Sequence, residues 1–69
     1  MNRIPVSSSN IADIGYDEQS MTLEVGFKNG TVYQYFDVPQ TVHEEFMGAS
    51  SKGTFLNVSI KPNYRYVKL

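Results

Sequence analysis

Tyr33 and Tyr35 stand two residues apart, the spacing that puts two rings on one face of a β-strand. Rings so placed can serve as a platform on which nucleobases stack, as they do in single-strand binders. The complementary charge lies further along the chain. Every acid falls between Asp13 and Glu45, whereas Lys52, Lys61, Arg65 and Lys68 follow with no acid among them. A purely basic final quarter creates a local positive field on a chain of net charge −1, and such a field suits phosphate. Rings and cations together point to RNA or another single-stranded nucleic acid, carried by Tyr33, Tyr35, Lys52, Lys61, Arg65 and Lys68. Each has a plainer role beside this one. Tyrosines covered by a terminus would make a second small core, and a basic end folded onto the acidic hairpin would neutralise it.

The remaining chemistry-bearing residues argue against catalysis. His43 is the one histidine, set beside Glu44 and Glu45 on a helical pattern, and the partners of a nucleophile–base set would have to come from loop serines. It reads as a surface residue, and the two glutamates as a solvated face. One His, no Cys and scattered carboxylates give no metal-ligand spacing. The loop Ser50-Ser51-Lys52-Gly53-Thr54 has the parts of an anion site, but it lacks the glycine spacing of a P-loop. A turn between helices with a serine cap explains the same residues. No catalytic residue, metal or cofactor is expected.

The elements that must position these groups follow from periodicity. Met21, Leu23, Val25 and Phe27 alternate with polar or small residues, the pattern of a half-buried strand. Asn29-Gly30 follows and predicts a two-residue type I′ hairpin into Thr31–Val38. That turn would pair Phe27 with Val32, Val25 with Gln34, Leu23 with Phe36 and Met21 with Val38, leaving Tyr33 opposite Gly26 and Tyr35 opposite Glu24 on the other face. Ile11–Tyr16 reads as a preceding strand, returned by the turn residues Asp17-Glu18-Gln19-Ser20. After Val38 the period changes. Pro39, the capping-box spacing of Thr41 and Glu44, and the stripe Val42, Phe46, Ala49 predict a helix over 40–49, and Leu56 with Ile60 a second within 50–60. The fold class is therefore α+β: a three-stranded antiparallel meander with two short C-terminal helices on its apolar face. The N-terminal segment, which holds Pro5, would be an edge strand or a loose lead-in, and 64–69 a short strand or tail. Leu23, Phe27, Phe36, Val42, Phe46 and Leu56 are the expected core.

Sixty-nine residues, 41% hydrophobic and 13% aromatic, suffice for one small core and leave little for an enclosed active-site pocket. The absence of Cys excludes a disulfide scaffold, and no stretch approaches the ~20 apolar residues of a membrane-spanning helix. The expectation is a cytoplasmic protein without a membrane partner.

The order of motifs resembles the KTSC domain, a small domain found at the C-terminus of some lysyl-tRNA synthetases and as free-standing short proteins. The residues that carry the resemblance are Val6-Ser7-Ser8-Ser9-Asn10-Ile11, Ile14-Gly15-Tyr16-Asp17, Leu23-Glu24-Val25-Gly26-Phe27 with Gly30, and Tyr33-Gln34-Tyr35 with Val38-Pro39. Ala49-Ser50-Ser51-Lys52-Gly53 then follows, with Phe55, Asn57, Ile60 and Tyr64. They span nearly the whole of 1–69, which would then be a single KTSC-like domain. The chain departs from the pattern at Arg65, where a Pro often follows the tyrosine. The resemblance implies that Ser50–Ile60 is helical and that RNA is a partner by context, and it implies no catalytic residue. A non-enzymatic module that binds RNA is the expected function, and a protein–protein adaptor using the same aromatics is the alternative.

Overall fold

In a computed structural model that describes all of residues 1–69, five antiparallel strands form one sheet in sequential order. They are β1 (Arg3–Pro5), β2 (Ile11–Asp17), β3 (Thr22–Phe27), β4 (Val32–Tyr35) and β5 (Tyr66–Lys68). The expected three-stranded meander is its centre, and both termini add an edge strand. Helix α1 (Gln40–Gly48) and helix α2 (Lys52–Phe55), which runs on into a π-helical turn over Leu56–Ile60, connect β4 to β5.

The hairpin between β3 and β4 departs from expectation by one residue. Its loop has three residues: the N–H of Gly30 donates to the Phe27 carbonyl at 3.0 Å, and the N–H of Phe27 donates to the Thr31 carbonyl at 2.8 Å. Only Gly30 has positive φ, at 93°. Asn29 stays at negative φ because its amide oxygen accepts from the Thr31 N–H at 3.0 Å, a local bond that a type I′ turn would not need. The register is consequently Gly26–Val32, Val25–Tyr33, Glu24–Gln34 and Leu23–Tyr35. A slip of one residue exchanges the faces of a whole strand. Tyr33 and Tyr35 therefore join Leu23 and Val25 on the apolar face, and Gln34 passes to the polar face.

The core consists of Ile11, Ile14, Leu23, Val25, Tyr35, Val38, Phe46, Leu56 and Ile60. Phe27 and Val42 pack at its margin as partly buried residues. Phe36, expected inside, lies outside the core, because after β4 the chain turns at Asp37 (φ 60°) and sends Val38 inward in its place. Phe46 stacks on Phe55 with ring centroids 5.4 Å apart, joining the two helices over the sheet.

Two local expectations about the helices also change. Pro39 is the N-cap of α1, and no side chain caps it, so Thr41 and Glu44 form no capping box. The N–H groups of Val42 and His43 donate to the Pro39 carbonyl instead. In α2 the serine cap forms as expected, with Ser51 Oγ accepting from the Thr54 N–H at 3.3 Å. His43 is half-buried rather than solvated. Its ring stacks on Tyr16 at 4.5 Å and an interplanar angle of 9°, and burial pushes its pKa down against the opposing charge of Glu44. Glu44 and Glu45 are exposed.

Candidate functional site

The helices cover the apolar face over β2 and β3, where His43 meets Tyr16, and leave its β4–β5 end open. There the alternation of side chains along β4 brings Thr31, Tyr33 and Tyr35 to the same side, and β5 adds Tyr66 opposite Tyr35 and Lys68 opposite Tyr33. Together with Phe27 of β3, Thr31, Tyr33, Tyr35 and Tyr66 floor an open groove of about 420 Å³, with Lys61, just beyond the π-helical turn, on its wall.

The groove floor is aromatic. Tyr33 sits 5.7 Å from Phe27 edge-on, 6.4 Å from Tyr35 in a stacked arrangement and 5.8 Å from Tyr66. These separations lie within the range of favourable ring pairs, so the rings hold one another in place. Their exposure differs sharply. Tyr35 is 2% exposed and belongs to the core, where burial and the neighbouring Tyr33 and Tyr66 push its phenol pKa up, whereas Tyr66 is 61% exposed. Tyr33 is half-buried between them. The stacking surface is thus Tyr33 with Tyr66, supported from beneath by Tyr35. The face of the Tyr35 ring is not available to a ligand.

The four basic residues do not converge. Lys61 lines the groove, Lys68 stands opposite Tyr33 on β5, and neither takes part in an ion pair. Arg65 lies elsewhere: its guanidinium pairs with Asp37 at 2.8 Å and sits 5.5 Å from the centre of the Phe36 ring. This exposed pair is the one place where the basic end meets the acidic segment. Lys52 is also remote. Its ammonium donates to the Ala49 carbonyl at 2.6 Å, tying α2 to the end of α1. It lines a cleft of about 460 Å³ between the serine-rich loop 7–10 and the loop 50–54, in which no apolar side chain takes part. The Ser51 hydroxyl there donates to Thr54 Oγ1 at 2.9 Å, beside the cap bond that it accepts from the Thr54 N–H.

Tyr66, Phe27, Asn29 and Thr31 line the groove without having been expected from the sequence as site residues, Phe27 being expected only in the core and Asn29 only in the turn. The alternation Tyr66–Lys68 could have revealed the first, had 64–69 been paired with β4.

The opposite face of the sheet carries a polar ladder. Arg3 of β1 donates from Nη1 to Glu24 Oε2 at 2.6 Å and approaches Asp13 Oδ1 with Nε at 2.9 Å. The Asp13 contact is ionic only, since that buried oxygen receives no aligned hydrogen bond. Gln34 donates to Glu24 Oε1 at 2.9 Å. These hydrogen bonds, Gln34 first and then Arg3, hold the Glu24 carboxyl below its ordinary pKa although burial opposes them. Asp13 lies across Gly26, where a Cβ would fall 2.1 Å from its Oδ1. A glycine is required there for the carboxylate to reach Arg3.

Comparison with known proteins adds relatives along the full length. A protein of Tsukamurella paurometabola is 40% identical over 65 residues, covering 94% of this chain and 97% of that protein. The lysine–tRNA ligase of Trichormus variabilis is 41% identical over 61 residues, which are 88% of this chain but 11% of the ligase. The crystal structure of a KTSC domain protein from Yersinia pestis superimposes with a TM-score of 0.92 at 45% identity, covering 99% of this chain and 96% of that one. A model of the KTSC domain matches residues 7–64, so this five-stranded chain with its aromatic groove belongs to the KTSC domain family.

Proposed function

We propose that this protein is a non-enzymatic module that binds single-stranded RNA, with a base stacked on Tyr33 and Tyr66 and the adjoining phosphates held by Lys61 and Lys68. The observation that carries this reading is the open aromatic groove with an unpaired cation on its wall. Aromatic faces recognise any base, and cations beside them supply the sequence-independent attraction to the backbone. Lysine–tRNA ligases that include a similar segment support the choice of RNA and a cytoplasmic setting, since the substrate named for those enzymes is a tRNA. Tyr35 supports the platform from the core, and Lys52 and Arg65 serve the fold.

The site is short, and its salt dependence should be correspondingly shallow. Each phosphate neutralised on a single strand contributes about 0.7 to the slope of log affinity against log salt, so Lys61 and Lys68 together account for about 1.4. Titration of a labelled random RNA pool against the protein at several salt concentrations measures that slope. Replacing both lysines by Ala should remove most of it, whereas Tyr66→Ala should weaken binding by about 1–3 kcal/mol and leave the slope unchanged. Absence of measurable binding at low salt, where attraction is strongest, would overturn the reading and leave the aromatic groove to a protein partner.

A further inference from the structure

The floor of the groove ends at the hairpin loop, where two polar side chains have fixed and complementary hydrogen-bonding capacity. Asn29 and Thr31 both line the groove, and Thr31 follows the same strand face as Tyr33, about 6.7 Å along it. Asn29 Oδ1 accepts from the Thr31 N–H at 3.0 Å and from Thr31 Oγ1 at 2.7 Å. A backbone N–H must meet an acceptor, so the amide oxygen faces Thr31 and the Nδ2 protons remain unspent. Thr31 has spent its hydroxyl proton on Asn29, which leaves its oxygen able only to accept. The loop therefore presents a donor beside an acceptor, both held by bonds internal to the loop.

We propose that Asn29 and Thr31 read the hydrogen-bonding edge of the base stacked on Tyr33, making this groove a nucleobase subsite and not merely a track for the backbone. The inference rests on the RNA reading above. A phosphate offers acceptors alone and would leave Thr31 Oγ1 unanswered, whereas the pairing edge of every nucleobase sets an acceptor next to a donor. Lys61 and Lys68 remain free for the phosphates on either side.

The test compares a short RNA oligonucleotide with the same oligonucleotide made abasic at successive positions, against the native protein, Thr31→Val and Thr31→Ser. Valine keeps the branched shape and removes the oxygen together with its bond to Asn29, an effect on the loop that the abasic ligand would report equally, while serine keeps the oxygen and that bond and controls for loss of the methyl group. Thr31→Val should lower affinity for the intact oligonucleotide about three- to tenfold, the fold-change of one lost neutral hydrogen bond. It should lower affinity for the best-placed abasic oligonucleotide not at all, and Thr31→Ser should bind like the native protein. Equal losses on both ligands, or no loss on either, would overturn the base-edge assignment while leaving RNA binding intact. Failure of the native protein to bind either ligand would instead overturn the RNA reading, and this inference with it. Circular dichroism of each variant confirms that the hairpin is retained.

Discussion

Tyr35 and Phe36 are neighbours with opposite fates, and the difference sets what each contributes. The Tyr35 ring fills the centre of the core, while Phe36 lies on the outside beneath the Arg65 guanidinium. Tyr35→Ala should therefore cost about 3–5 kcal/mol, enough to unfold most of a domain this small. Phe36→Ala removes a cation–π contact with the exposed Arg65 and part of a half-buried apolar surface, and should cost about 1 kcal/mol. Urea unfolding followed by circular dichroism distinguishes the two; similar losses would show that the face assignment of β4 is mistaken. Lys61 and Lys52 make a parallel contrast. The first lacks an ionic partner and is available to a ligand, whereas the second is bound to the carbonyl that ends α1.

At the scale of elements, the turns hold the sheet in register, and left-handed residues stand in the two hairpin loops on either side of β3 as well as at Asp37 after β4. Gly30 has φ of 93° and open space where a Cβ would stand, so Gly30→Val should destabilise through backbone strain alone, by roughly 1–3 kcal/mol. Gly30→Asn should cost much less, because Asn tolerates positive φ. Met21 closes the β2–β3 loop at φ 53° with a bulky side chain, and Met21→Gly should raise the melting temperature by relieving that strain. A lower melting temperature would mean that the partly exposed Met21 side chain contributes more than its backbone costs. The sequence made much of this layout legible. The alternation in β3 and the helical stripe of α1 are strong periodic signals, and both elements lie where periodicity puts them. The register of β4 was not legible from Asn29-Gly30, since the same dipeptide serves a two-residue loop and a three-residue one. The choice rests on Asn29 bonding to Thr31. That one-residue difference moved the tyrosines from the polar face to the apolar one. Whether they were exposed depended on where the helices stop, which no local pattern encodes. The edge strands were legible only as alternatives, being three residues each and too short for alternation to declare itself.

Across the whole molecule the two faces of the sheet divide the work, the polar ladder holding strands β1 to β4 together while the other face carries the core and the groove. Two titrating groups within this architecture, Glu24 in the ladder and His43 against Tyr16, have pKa values depressed by the fold. When the folded pKa lies below the unfolded one, the unfolded chain binds the proton first as pH falls. Stability from each group is then complete above its unfolded pKa and is lost as pH falls towards its folded pKa. The losses should come in sequence. His43 acts first, as pH drops below about 6.5, and Glu24 follows below about 4.3. The melting temperature should accordingly fall in two stages between neutral pH and strong acid. His43→Phe keeps the ring stack and should abolish the first stage alone. Glu24→Gln keeps the side-chain shape, gives up the ion pair with Arg3 at all pH values, and should abolish the second. A variant pair that lowers stability uniformly and leaves both stages in place would show that acid acts elsewhere than on these two groups.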